Sequence, residues 1–189
     1  MSRLRTASLS SNPSEFDLCE VLEDVFQTAR LFGDSDVKGE FRPKRDECPV
    51  FMDEKLFRHV VTNLISNAFK YADGGAVTVI LDSIGDSAVE ISVEDTGIGM
   101  SEEDLSQLFT PFHRGRNVAS IAGTGLGMSI AKDATTLMGG KLELESELGV
   151  GTKATITLPF HAPGEDDWEV ESEWVFPATQ TGSVPERER

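Results

Sequence analysis

Helix-spaced and strand-spaced apolar residues alternate along this chain, and together they predict a fold of the α/β class. Three observations carry the expectation. Leu18, Val21, Leu22, Val25, Phe26 and Ala29 recur at helical spacing, as do Leu56, Val60, Val61, Leu64, Ile65 and Ala68. Val89, Ile91 and Val93, and later Ala154, Ile156 and Leu158, alternate with other residues as half-buried strands do. Two glycine clusters punctuate the pattern: Asp95-Thr-Gly-Ile-Gly99 follows a strand, and Gly123-Thr-Gly-Leu-Gly127 opens a helix.

In order, residues 1–14 are polar, with five serines and Pro13, and are expected to form a linker or a frayed helix end. Asp17 offers an N-cap with Glu20 placed for a capping box, and Gly33 ends that helix. Short strands are expected at 40–42 and 50–52. A second helix spans about 54–71 until Gly74-Gly75 breaks it. Residues 77–81 and 88–94 form a hairpin around 83–86. Ser101 caps a short helix, with Asp104 at its third position, that ends near Phe109; Pro111 stops it. The helix from Leu126 to Met138 ends at Gly139-Gly140. Lys141–Glu147, a turn at Gly149-Val-Gly151 and a last strand through Leu158 complete the pattern. Beyond Pro159 the block Glu165–Trp174 is acidic with two tryptophans and lacks folding periodicity. Residues 162–189 are therefore expected to be a disordered tail, used for solvation or for docking on a basic or apolar partner surface.

Composition bounds the function. A length of 189 residues with 39% hydrophobic content suits one globular domain. The longest aliphatic run, Val79-Ile-Leu81, is far short of the roughly 20 residues a membrane helix needs. Arg3 and Arg5 precede no apolar run, so no signal peptide is expected. A net charge of −16 argues against a nucleic-acid partner and against direct membrane contact. Cys19 and Cys48 lack metal spacing and suggest packing residues in a reducing compartment, hence a cytoplasmic location.

The second helix has a mixed face. Asn63, Asn67 and Lys70 stand at i, i+4 and i+7 and share one stripe. Asn is a poor mid-helix residue, because its amide competes for backbone bonds. The stripe is either a solvated face or amide network, or a row of ligands: amide oxygens for a hard cation and an ammonium for phosphate. A carboxylate at a strand end, a segment with Pro111, Arg114 and Arg116, and glycines opening a helix suggest a lidded anion site, and so a nucleotide. Asp95-Thr-Gly also matches the aspartic-protease tripeptide, but that chemistry needs two carboxylates sharing a proton and would require a dimer. The second cluster lacks the dinucleotide spacing, and no Gly-Lys-Ser/Thr phosphate loop is present.

Together the motifs point further. Asn63-Leu-Ile-Ser-Asn67-Ala-Phe-Lys70-Tyr71 resembles the N-box of sensor histidine kinases. Asp95-Thr-Gly97-Ile-Gly99 is similar to their first glycine box, Leu108-Phe-Thr-Pro-Phe112-His-Arg114-Gly to their phenylalanine box, and Gly123-Thr-Gly-Leu-Gly127 to their second glycine box. Gly149-Val-Gly-Thr152 with Ile156–Pro159 resembles their closing strand, and Ser2-Arg-Leu with Phe16-Asp-Leu the join to the dimerisation helices. The likeness covers roughly residues 15–160 in four ordered motifs.

The resemblance implies a two-layer α/β sandwich, helices packed on one face of a mixed β-sheet, with a flexible lid over ATP. Residues 15–161 would be the ATP-binding catalytic domain, and 1–14 a linker or the end of a dimerisation helix. Asp95 would read the adenine amino group, with Gly97 and Gly99 allowing close approach. Asn67 would hold Mg²⁺, Lys70 would meet phosphate, and Tyr71 would lie near base or ribose. Thr124, Gly125, Leu126 and Gly127 would meet the phosphates, and Arg114 the γ-phosphate. Asn63, Lys70 and Arg114 are the catalytic candidates. In gyrase-like ATPases and related serine kinases a Glu base occupies the position of Asn63; an amide takes no proton, which favours a histidine acceptor. His59, His113 and His161 lack the family's acidic neighbour, so the acceptor is expected on a dimerisation and phosphotransfer domain outside this chain, with a response regulator beyond it. An ATP-sensing scaffold and a serine kinase are the alternatives.

Overall fold

The computed structural model describes residues 11–85, 87–113 and 124–162. The strands are β1 (Ser14–Asp17), β2 (Lys38–Pro43), β3 (Pro49–Met52), β4 (Ala76–Ile84), β5 (Ala88–Asp95), β6 (Lys141–Glu147) and β7 (Gly151–Pro159). The helices are α1 (Leu18–Phe32), α2 (Glu54–Tyr71), α3 (Glu102–Gln107) and α4 (Gly127–Leu137).

Side chains set the helix starts. Asp17 accepts from the amides of Cys19 (2.7 Å) and Glu20 (3.3 Å), which the first turn of α1 leaves without helical partners. Its second oxygen accepts from the Cys48 amide at 2.7 Å, tying the β2–β3 loop to the same point. Asp53 caps α2 through the Leu56 amide (2.9 Å), and Ser101 caps α3 through the Asp104 amide (3.2 Å). At the other end of α1 the Gly33 amide closes on Ala29 O at 2.8 Å.

The main sheet has five strands in the order β2-β4-β5-β7-β6, with β2 and β4 parallel and the other pairs antiparallel. Alternation turns Val77, Val79, Leu81, Val89, Ile91, Val93, Ile156 and Leu158 into the core, where the buried faces of α1, α2 and α4 meet them. The result is a two-layer α/β fold with a mixed sheet. Ser14–Asp17 departs from the linker expectation at its first residue and pairs antiparallel with β3. Phe16 anchors the ribbon against the Phe57 ring at 5.7 Å, so one aromatic contact outweighs an otherwise polar tetrapeptide. Cys19 and Cys48 are free and buried. Burial first, and Asp17 next, push the Cys19 thiol up to about 12, which suits packing and not thiolate chemistry. Among the described residues no helix is long and apolar enough to cross a membrane.

Candidate functional site

A cavity of about 270 Å³ opens between α2, the N-terminus of α4 and the β5, β6 and β7 ends of the sheet. Asn63, Asn67, Lys70, Tyr71, Asp95, Gly99, Thr124, Gly125 and Gly127 all line it, so one concavity gathers residues from three separate sequence motifs.

Asp95 ends β5 half-buried. Burial raises its carboxyl above the ordinary carboxylate value, and hydrogen bonds from the Gly97 and Thr152 amides oppose that rise. The Gly97 amide donates to Oδ1 at 2.9 Å. Gly97 itself stands behind the cavity wall. A Cβ there would lie 1.9 Å from Tyr71 O, while the Ile98 amide donates to that oxygen at 3.1 Å. Only a residue without a side chain lets the end of β5 run so close to the C-terminus of α2. Gly99 is constrained twice: its φ is +59°, and a Cβ would sit 1.9 Å from Glu147 O.

The stripe on α2 faces the cavity. Asn67 Nδ2 donates to Met128 Sδ at 3.5 Å, so Oδ1 is the atom its amide has to offer a cation. Lys70 Nζ sits 4.9 Å from the centroid of the Tyr71 ring. Asn63 Nδ2 donates back to His59 O at 2.9 Å, and its Oδ1 lies 2.5 Å from where a Cβ on Gly127 would be. The first residue of α4 therefore packs directly on Asn63.

Leu126 caps α4 without a side-chain hydrogen bond, leaving first-turn amides with no helical acceptor. Their dipoles add positive character at that point. Leu126 does not line the cavity; its amide is 3.4 Å from Thr124 Oγ1. Gly125 has φ +71°, and its carbonyl accepts from the Phe112 amide at 2.9 Å. Arg114, Arg116 and Gly123, with the lid expected around them, lie outside the described residues, as do the tail from 163 onward and residues 1–10.

Other lining residues escaped the sequence reading as site residues: Met100, Asp104, His113, Met128 and Thr152. Among the described residues the enclosed His113 Nε2 has no hydrogen-bond partner; Asp104 Oδ1 stands 3.6 Å away, beyond hydrogen-bond length. The phenylalanine-box motif could have pointed to His113, and the Gly149-Val-Gly-Thr152 turn to Thr152. Met100, Asp104 and Met128 carry no local signal. Lys132 lies over the Phe109 ring at 4.4 Å and fastens the end of the α3 segment to α4. Among the described residues no three His, Cys, Asp or Glu side chains converge on one point, so a cation here would draw on Asn67 and on its ligand's own oxygens.

The chain matches, over residues 52–162, the family described as histidine kinase-, DNA gyrase B-, and HSP90-like ATPase. Histidine protein kinase DivJ of Caulobacter vibrioides is 34% identical over 164 residues, covering 84% of this chain and 27% of that protein. The mycobacterial sensor histidine kinase MprB superposes with a TM-score of 0.70 at 27% identity, covering 79% of this chain and 100% of that one. Full-length ShkA in complex with AMPPNP gives a TM-score of 0.71 at 23% identity, a likeness of fold that covers 82% of this chain and 33% of ShkA. The chain spans 21–28% of the length of the first curated relatives it matches.

Proposed function

The chain belongs to the histidine kinase-, DNA gyrase B-, and HSP90-like ATPase family, and on that premise we propose that residues 15–161 bind ATP·Mg²⁺ and transfer its γ-phosphoryl group to a histidine on a separate dimerisation domain. A response regulator would then take the phosphoryl group from that histidine. The setting is the cytoplasmic part of a two-component sensor kinase.

One observation carries the reading. Tyr71, backed by Gly97 behind the cavity wall, lines one end of the cavity, and Asn63, packed on Gly127, lines the other. The two stand eight positions apart on α2, about 12 Å at 1.5 Å per residue. That span suits a base beside Asp95 and a phosphate chain at the start of α4. Asp95 accepts from the adenine amino group. The amides of Gly125 and Gly127, with Thr124, hold the phosphates at the positive end of α4, while the Leu126 amide assigned to them by the motif is turned to Thr124 Oγ1. Lys70 offsets phosphate charge, and Tyr71 flanks the base or ribose. Asn67 Oδ1 is the oxygen that would hold Mg²⁺, and the ion would supply positive charge against the phosphates. Arg114 is assigned to the γ-phosphate from the motif alone.

The protein's contribution to phosphoryl transfer is alignment and charge stabilisation. Asn63 cannot take a proton, and its Nδ2 already serves His59 O, so a serine or water nucleophile would lack a base there. A histidine acceptor has its own neutral nitrogen. Adding a histidine-bearing dimerisation hairpin and γ-labelled ATP should yield acid-labile label on histidine. Acid-stable label would favour the serine kinase, and tight ATP binding with no transfer the sensing scaffold.

A further inference from the structure

Ser146 stands on β6 two residues after Leu144, on the side of the strand that faces the core. Its hydroxyl joins three segments of the chain. It accepts from the Met100 amide at 2.9 Å, donates to Gly151 O at 2.9 Å and lies 2.9 Å from Thr152 Oγ1. A serine hydroxyl has one proton and two lone pairs. Gly151 O takes the proton and the Met100 amide one lone pair. The Thr152 hydroxyl must then be the donor in the third contact. Its proton is thereby turned towards Ser146, and the oxygen keeps only lone pairs for anything else.

Thr152 lines the cavity, and its backbone amide donates to the Asp95 carboxylate. Met100, held by the same serine, lines it too. We propose that Ser146 is a positioning residue, outside the cavity, that makes Thr152 an acceptor beside Asp95, so that the pocket selects a 6-amino purine over a 6-oxo purine. A 6-amino group donates to two adjacent acceptors; a 6-oxo group meets lone pair with lone pair. The inference rests on the nucleotide reading above and adds to it the origin of base selectivity.

The test is calorimetric titration of the full chain with ATP·Mg²⁺ and GTP·Mg²⁺, for wild type, Ser146→Ala, Ser146→Thr, Thr152→Val and the Ser146→Ala/Thr152→Val double variant. Melting curves accompany each. Ser146→Ala should weaken ATP about five-fold, the scale of one net hydrogen bond, and lower the ATP-to-GTP preference by a similar factor. Ser146→Thr, which restores a hydroxyl on a strand that accepts β-branched residues, should recover both. In the double variant the selectivity loss should match that of Thr152→Val alone, because both changes act through one oxygen. A folded Ser146→Ala with wild-type selectivity, or additive losses in the double variant, overturns the proposal and leaves the ATP site standing. Should Ser146→Ala fail to fold, wild-type selectivity in Thr152→Val overturns it instead. A wild-type chain that binds neither nucleotide removes the ATP reading and this inference together.

Discussion

Replacing Asp95 by Asn perturbs the proposed base site by one atom. The carboxylate has two oxygens and accepts from two backbone amides, Gly97 at 2.9 Å and Thr152. An amide keeps one oxygen. Its NH₂ must then face either one of those backbone donors or the amino group of the incoming base, and both are donor against donor. The charge goes as well. Hydrogen bonds to charged groups contribute about 1.5–3 kcal/mol, so ATP·Mg²⁺ should bind about 10- to 150-fold more weakly. Titration calorimetry at neutral pH reads this directly, and a melting curve of the unliganded variant shows whether the fold is kept. An affinity within about two-fold of wild type on a folded variant would refute the assignment of Asp95, since no charged hydrogen bond is worth so little.

Other expectations follow from the same geometry. Gly97→Ala places a Cβ 1.9 Å from Tyr71 O, a backbone atom with little room to move. It should destabilise the protein by about 1–3 kcal/mol, visible as a melting temperature lower by about 3–10 °C. Gly127→Ala meets Asn63 Oδ1 at 2.5 Å, the end of a side chain. Chemical denaturation should show it less harmful in an Asn63→Ala background, with a coupling of about 0.5–3 kcal/mol. The pH dependence of ADP binding should separate wild type from Asp95→Asn. Burial raises the Asp95 carboxyl above 3.8, so affinity falls as pH drops through that raised value in wild type and not in the variant. For the unliganded fold the sign is opposite: the group favours folding below its unfolded value, and that contribution is lost as pH rises through the folded one. Denaturation of Asp95→Asn across mildly acid pH should lack this component.

Much of the architecture was legible because it rests on short-range chemistry. Asp17, Ser101 and the apolar stripes of α1 and α2 announce helices through caps and period, and the Val77–Glu94 hairpin through alternation. The parallel pairing of β2 with β4 was not legible, since register between distant strands is set by packing. Neither was β1, whose Ser14-Glu15-Phe16-Asp17 has one apolar residue and depends on Phe57 across the fold. Within the cavity, the α2 stripe and the glycines could be read because the chemistry leaves a spacing. Asn63 packing on Gly127, the enclosed Nε2 of His113 beside Asp104, and the serine that orients Thr152 are contacts between motifs, and no single stretch of sequence encodes them.

The central claim is that one cavity takes a purine at Asp95 and a triphosphate at the start of α4. Melting the protein with and without ATP·Mg²⁺ tests it most directly. At a hundred times the dissociation constant, binding to the folded state alone adds about 2.7 kcal/mol, which at this size raises the melting temperature by about 5–10 °C. An unchanged melting temperature at millimolar ATP·Mg²⁺ would contradict the account.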